Sequence, residues 1–551
     1  MPLKKVVGVY DLANGGSNNA QTKTQQFSIH PAPTKGLNAS FPLIAQDPLT
    51  GVLIDNWWTR RYGIELRSGS ARWTTNLGGA STPSSVLSLM TYLPPVGTTG
   101  IPKLFAACAN GNIYDVSTQT NEAAVPAVMQ IIPGQINAGV FSWTNFATAS
   151  TNYLCICAAG AGYWTYDSVG GWVNRTAAIS GAGSLLAVNF DFVMAWKNRL
   201  WFIVNGTSDA IFLGTNAISG ASSIFDFGPL LTHGGGLQAM ATWTVDGGDG
   251  LDDKLVLVAS GGDVLVYQGT DPATATTFGI HGKWYVGRPP IGRRFLSKYG
   301  GDLAILCEVG VEFMSNVLQA FGLRDPMSAV DEPAKKFNEL IGNDVRLTQS
   351  SRFWQMIFLP SETSSIVITP HNKTNDAKQY VFASMAKAWT TFSNLNMVCG
   401  EVFEGSLYYG TDSGTVIKAF IGETDDYLTD GTPGKQIEGL VQTAFVAPSD
   451  DRVSVKRPLL ALPMFQASHP PAIQLQINTE WQTQSTPGAP AFNPSGSSLW
   501  DTGKWDESIW FGESNSYQTW SGVQGLGVFA SLRMSVAVSY THLTLPTKRI
   551  V

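Results

Sequence analysis

Between about residue 100 and residue 420, the chain repeats one pattern of apolar and polar positions seven times. A polar or turn residue leads into an apolar run, a Gly- or Ser-containing break follows, and a second apolar run completes the phrase. The copies are Lys103-LFAACANGNIYDV, Asn152-YLCICAAGAGYWTY, Asn198-RLWFIVNGTSDAIFL, Asp253-KLVLVASGGDVLVY, Asp302-LAILCEVGVEFM, Arg352-FWQMIFLPSETSSIVI and Glu404-GSLYYGTDSGTVIKAF. Two short apolar runs around a turn describe a strand–turn–strand unit. The anchors Leu104, Leu154, Leu200, Leu255, Leu303, Phe353 and Leu407 fall roughly 46 to 55 residues apart. Such a period predicts the blades of a β-propeller, six or seven in number. No single hairpin buries its own apolar face, so each depends on its neighbours.

Further strand patterns lie between the hairpins: Val86-LSLMTYL, Val140-FSWTNF, Leu237-QAMATWTV and Ala388-WTTF. Added to the hairpins, they supply the three or four strands of a blade. Only Asp331-EPAKKFNELI reads as a helix, with an acid and a proline at its start. The pattern therefore predicts an all-β chain in four parts. Residues 1–60 form an extended N-terminal arm, 61–425 the propeller, 426–538 a β-sandwich-like C-terminal domain, and 539–551 a foreign tail. Just after the first stretch, Tyr62 to Arg67 alternates as a half-exposed strand. Asp425-DYLTDGTPGKQ is a turn-rich linker, followed by strands at Ile437-EGLVQTAFV, Arg457-PLLALPMF, Ile473-QLQIN and Ala530-SLRMSVAV. Ser539-YTHLTLPTKRIV breaks the composition and reads as translated adapter sequence, so the native C-terminus and a strand of the last domain are expected to be missing.

Composition sharpens this picture. The 551 residues suit two or three domains, and only 14% are charged while 11% are aromatic. So few charges suit a surface that faces other subunits. The net charge of −6 opposes a surface built to grip nucleic acid. Cys108, Cys155, Cys157, Cys307 and Cys399 sit inside apolar strands without a CxxC pair and read as buried reduced thiols. No apolar stretch approaches the ~18 residues of a membrane span. The N-terminus has too short an apolar stub for a signal peptide, so synthesis in a cytoplasm is expected.

Candidate chemistry is sparse. The acidic turn Asp246-GGDGLDD offers Asp246, Asp249, Asp252 and Asp253 as hard oxygen ligands, but without EF-hand spacing, so a strand-connecting turn is the better reading. His233-GGG resembles an oxyanion loop, but no G-x-S-x-G elbow accompanies it. The histidines form no zinc-binding pair. Arg288, Arg293 and Arg294, with Lys298, form a basic turn suited to phosphate or to pairing within the assembly; the second reading is preferred. Trp500, Trp505 and Trp510 recur at five-residue spacing, as sugar-stacking platforms or, preferably, interface anchors. Asp412-SGT echoes the Asp-box of sialidase propellers, but only once. No catalytic set and no cofactor signature emerges.

The blocks Ala32-PTKGLNAS and Asp47-PLTGVLIDNWWTRRYGIELRSGS resemble the opening of the tail nozzle (tail tubular protein B-like) structural proteins of short-tailed bacteriophages. Similar blocks continue at Lys103-LFAACANGNIYDV, Trp196-KNRLWFI, Thr242-WTVDGGDGLDDKLVLVASGGDVLVYQGTDP, Val286-GRPPIGRRFLSKYGGDL, Glu401-VFEGSLYYG and Ala530-SLRMSVAV, spanning nearly all of residues 30–538. The resemblance implies a non-enzymatic virion protein, made in the bacterial cytoplasm and built into the tail as a hexameric ring. Its partners would be the tail adaptor ring, tail fibres and the DNA that passes through the ring without specific binding. The adapter-like tail after residue 538 departs from the family. The rival expectation is a stand-alone carbohydrate-binding or sialidase-like propeller, which would carry a secretion signal or several Asp boxes. A WD- or kelch-type scaffold would need regular GH…WD or double-glycine repeats; Gly261-Gly262 and Gly300-Gly301 do not recur at one place in the blade.

Overall fold

The computed structural model describes residues 7–11, 26–38, 43–79, 81–95, 100–120, 127–130, 140–246, 251–274, 276–287, 289–308, 310–319, 344, 353–369, 378–422, 424–426, 434–447, 455–467, 471–483 and 515–538. The chain is all-β with a β-propeller at its centre. Six antiparallel blades have four radial strands or more. Blade I holds Val86–Tyr92, Lys103–Cys108, Asn112–Asp115 and Ala127–Gln130. Blade II holds Ser142–Ala147, Asn152–Ala158, Gly162–Asp167 and Gly171–Asn174. Blade III runs from Phe190–Trp196 through Arg199–Val204 and Asp209–Leu213 to Gly220–Asp226, with Ile179–Ser180 added in parallel. Blade IV comprises Leu237–Asp246, Leu251–Ala259, Asp263–Gly269 and Phe278–Tyr285. Blade V comprises Gln355–Leu359, Ser364–Ile368, Gln379–Ala383 and Ala388–Phe392. In blade VI, Cys399–Phe403, Ser406–Gly410 and Val416–Ala419 are completed by Ser70–Thr74 from the far end of the chain. Between blades IV and V stands a three-stranded sheet, Leu296–Tyr299, Asp302–Cys307 and Gly310–Phe313. The inner strands pack side by side from blade I around to blade VI and back to blade I, so the ring is closed.

The repeated phrase explains this order. Leu104, Leu154, Leu200, Leu255, Leu303 and Leu407 all lie on second strands and are 2% exposed or less. Each sits where one sheet faces the next, and burial of a leucine there contributes about 1.5–3 kcal/mol. Phe353 is the exception. It precedes Gln355–Leu359, the innermost strand of blade V, so that copy of the phrase spans first and second strands instead of second and third.

A second β-body continues from blade V. The outer strand Ala388–Phe392 meets Gly51–Asp55 in parallel at Asp55–Thr391, and Ile437–Thr443, Ala530–Val538 and Ala472–Thr479 follow to make one eight-stranded sheet. Its core is Ile54, Trp57, Ile64, Leu66, Val441, Phe465, Met534 and Val536. This corrects the expectation of an extended arm. Val7–Asp11 and Gln26–His30 form a hairpin on Pro458–Leu462, and Gly51–Asp55 is an interior strand of the joining sheet. Apart from the pairing of the first two strands with each other, the sheet partners of these segments lie more than 300 residues away, which local pattern does not show. The strand expected at Tyr62 to Arg67 is Gly63–Leu66, hairpinned with Trp57–Arg60; Ile64 and Leu66 are buried and Glu65 between them is half-buried, as the alternation predicts, while Arg67 is buried as well. The expected helix at Asp331 and residues 539–551 lie outside the described residues. All five cysteines are buried and unbridged.

The joint between the two bodies is polar and buried. Arg67, with a side chain 1% exposed, grips Asp425 through two nitrogens at 2.8 and 2.5 Å. Its Nε donates to Asn56 Oδ1 (2.8 Å), and Asn56 Nδ2 donates to Glu438 O (2.9 Å). Ser393 and Thr391 of blade V donate to the two oxygens of Asp55 at 2.5 and 2.8 Å. Burial pulls the Arg67 pKa down, but the Asp425 carboxylate more than offsets it and holds the guanidinium above its ordinary value.

Candidate functional site: the propeller axis

The basic turn noted in the sequence folds into the hub of the propeller. Pro290 bridges to Cys307, and Gly292 adopts a left-handed φ of 73° in a turn where a Cβ would lie 2.8 Å from Trp354. Gln238 of blade IV donates to Gly292 O at 2.7 Å, and the buried side chains of Ile291 and Phe295 pin the turn on either side. Arg293 and Arg294 therefore point into the interior of the propeller.

Arg293 pairs with Asp191 of blade III, a residue almost fully buried, and donates to Asn205 Oδ1 at 3.0 Å. Arg294 crosses the axis. Nη1 and Nη2 both donate to Leu87 O of blade I at 3.1 Å; Nη2 also reaches Ser88 Oγ and Phe141 O (3.3 Å) before blade II. Nη1 lies 3.5 Å from Gln355 Oε1 of blade V. Gln355 in turn clasps the backbone of Gly400 in blade VI, donating at 2.8 Å and accepting at 3.1 Å. One side chain and its glutamine neighbour thus tie together four blades and the three-stranded sheet.

Above this floor lies a cavity of about 610 Å³, within the ~300–1,000 Å³ typical of ligand pockets. Phe192, Met194, Met240 and Phe358 give it apolar walls, and Thr144, Thr242 and Lys298 give it a polar mouth. Glu401, the residue after Gly400, faces into it. Burial pushes the Glu401 carboxyl up to about 8, against the pull of the Val402 amide and of Arg294. Burial likewise pulls Arg294 below its ordinary value, against the attraction of Cys399 and Glu401; a guanidinium so placed remains a cation. The arrangement provides charge and hydrogen bonds inside an apolar enclosure, which is equipment for binding. Ser142, one of the hydroxyl residues in the lining, is occupied with the Val193 backbone at 3.1 and 3.5 Å.

The remaining sequence candidates lie elsewhere. His233 is a structural tie: its amide and Nδ1 bond the two oxygens of buried Asp263 at 2.7 and 2.8 Å, and its ring stacks on Tyr285. Burial works to raise the Asp263 pKa, but these bonds hold it below the ordinary value. Asp246 and Asp252 lie on the paired strands of blade IV, and Asp253 accepts from Thr244 Oγ1 at 2.7 Å. Asp249 lies outside the described residues, as do Arg288, Trp500, Trp505 and Trp510. Among the described residues, no three His, Cys, Asp or Glu side chains gather as a metal site. Asp412 accepts from Asn396 at 2.7 Å in an ordinary strand-connecting turn. Asp191, Glu401 and the Arg67–Asp425 pair were not singled out from sequence. The available signal was a lone acid inside an apolar inner-strand run, as in Phe190-DFVMAW and Cys399-GEVF.

No family model matches the chain, and no curated protein matches it. Among solved structures it is similar to the N-terminal part of BBS1 in complex with ARL6 (12% identity, 65% of this chain and 99% of that chain, TM-score 0.39). It is also similar to the computationally designed Ika8 protein (11% identity, 67% and 96%, TM-score 0.36) and to PorZ, a surface component of the type-IX secretion system of Porphyromonas gingivalis (13% identity, 68% and 44%, TM-score 0.34).

Proposed function

We propose that this chain is a structural subunit of the tail nozzle of a short-tailed bacteriophage, a ring through which DNA leaves the particle and which helps retain the packaged genome. The observation that carries this reading is the sequence resemblance across residues 30–538. Its blocks coincide with the joints of the architecture. Asp47-PLTGVLIDNWWTRRYGIELRSGS contains Asp55, Asn56 and Arg67 of the joint between the two bodies, and Val286-GRPPIGRRF contains Arg293 and Arg294 of the axial hub.

The propeller axis itself is not the conduit in this reading. A cavity of about 610 Å³ closed by Arg294 has room for roughly 20 water molecules at ~30 Å³ each, far too little for a duplex. The exit channel therefore runs between copies, with each propeller forming part of the wall. A closed cyclic ring uses two different faces of each subunit, and six copies is the number that the resemblance implies. Adaptor ring and tail fibres are the neighbours proposed for it, and the role is non-catalytic.

The test is complementation. Phage particles made without this protein should lose packaged DNA or fail to infect, and the intact gene supplied in trans should restore both. Particles that keep their DNA and infect normally without it would end the nozzle reading.

A further inference from the structure

The axial cavity has an unbalanced set of charges. Arg293 is neutralised by Asp191. Arg294 bonds only neutral acceptors, two carbonyls, a hydroxyl and an amide oxygen, and has no carboxylate partner among the described residues. Lys298, exposed at the mouth and equally without an ion pair among the described residues, lies four residues further along the same segment, roughly 13 Å away at strand rise. The walls are apolar, lined by the half-buried rings of Phe192 and Phe358 and by the buried side chains of Met194 and Met240. The floor thus presents an uncompensated cation beside a carboxyl group that can donate as well as accept.

We propose that this cavity is a binding site for a small monocarboxylate with an apolar body, its carboxylate seated at the Arg294–Glu401 floor and its body along Phe192 and Phe358. Arg294 supplies the positive field, and its Nε–H has no partner among the described residues. Glu401, while protonated, donates an O–H to the ligand carboxylate; charge-assisted bonds of this kind are about twice as strong as neutral ones. The proposal is independent of ring assembly, because every group it uses belongs to one chain.

The groups facing Glu401 fix its pH behaviour. They are Arg294 beside it, Cys399 on its own strand and Tyr408 opposite it on the neighbouring strand, with Lys298 and the Arg293–Asp191 pair elsewhere in the cavity lining. Burial pushes the Cys399 thiol up to about 11, so it stays neutral through the range in question. As pH rises through about 8, Glu401 ionises. It then neutralises Arg294 itself and repels the ligand carboxylate.

Isothermal titration of the full chain tests this with 4-phenylbutyrate, its neutral isostere 4-phenylbutyramide, and N-acetylneuraminate. At pH 6.5 the acid should bind at least tenfold tighter than the amide, and its affinity should fall steeply above pH 8. Glu401→Gln should bind the acid more weakly at pH 6.5, its amide N–H being a poorer donor than the carboxyl O–H, with an affinity that no longer falls above pH 8. Lys298→Glu, a change at an exposed position, should weaken the acid several-fold at every pH. Equal affinity for acid and amide, or no binding of 4-phenylbutyrate at millimolar concentration, overturns the proposal. So does an alkaline fall that persists in Glu401→Gln. Tighter binding of N-acetylneuraminate than of 4-phenylbutyrate overturns the apolar-body assignment and favours a sugar-acid site.

Discussion

Glu401 and His30 show opposite consequences of burying a titratable group. The unfolded Glu401 carboxyl ionises near 4.3, whereas the folded one holds its proton to about 8. Between those values the native state binds more protons, so this residue makes the protein progressively less stable as pH rises from about 4.3 to 8. Glu401→Gln should therefore match the parent at pH 4 and exceed it at pH 8, by on the order of 2 kcal/mol once cavity water is allowed for. Thermal melts across that range check it; a constant difference between the two proteins would refute the assignment. His30 is 1% exposed and burial lowers its pKa to about 4. Here the unfolded state binds the extra proton below about 6.5, so stability is lost as pH falls from about 6.5 to 4. His30→Gln should flatten the acid side of the stability profile, and a variant whose melting point falls in step with the parent between pH 6.5 and 4.5 would count against this. Neither environment was legible in the sequence. A lone acid in Cys399-GEVF marks an inner strand only once the ring has placed it beside the axis, and His30 is buried by strands contributed from beyond residue 430.

At the scale of elements, legibility followed sequence distance. The hairpins and their anchor leucines were visible because both strands and the turn lie within one phrase, and the burial of Leu104, Leu154, Leu200, Leu255, Leu303 and Leu407 follows from it. The arginine turn was visible as a cluster, though not its place at the axis, which depends on acceptors at Leu87, Ser88 and Phe141. What stayed hidden was the long-range pairing of the N-terminal strands: Ser70–Thr74 closing blade VI, and Gly51–Asp55 joining blade V to Ile437–Thr443. The Arg67–Asp425 pair stands at this joint, and losing one partner of a buried pair costs about 3–5 kcal/mol, because the other charge is left desolvated. Arg67→Met should accordingly lower the melting temperature strongly and speed proteolysis around residue 425. Arg67→Met combined with Asp425→Leu should recover most of the loss, since removing both charges is close to neutral. If the double variant is no better than the single one, the pair is not the organising contact of the joint.

At the scale of the whole molecule, the decisive quantity is where the positive charge points. The chain carries a net −6, and two of the three arginines in its most basic turn face inward, Arg293 onto Asp191 and Arg294 across the axis. Duplex DNA presents one negative charge per about 1.7 Å, and tight binding requires an outward row of cations to displace its counterions. A conduit has the opposite requirement, because every strong phosphate contact must break before the next base pair advances. The protein should therefore bind duplex DNA weakly at physiological salt and without sequence preference. Binding should weaken further as salt is raised from 50 to 200 mM, in line with a few screened contacts. Arg293→Ala should leave that weak affinity unchanged, because its guanidinium is already spent on Asp191; any loss it causes should appear in the melting temperature instead. A sub-micromolar affinity at physiological salt that disappears in Arg293→Ala would place DNA on the axial turn and overturn the passive-wall reading.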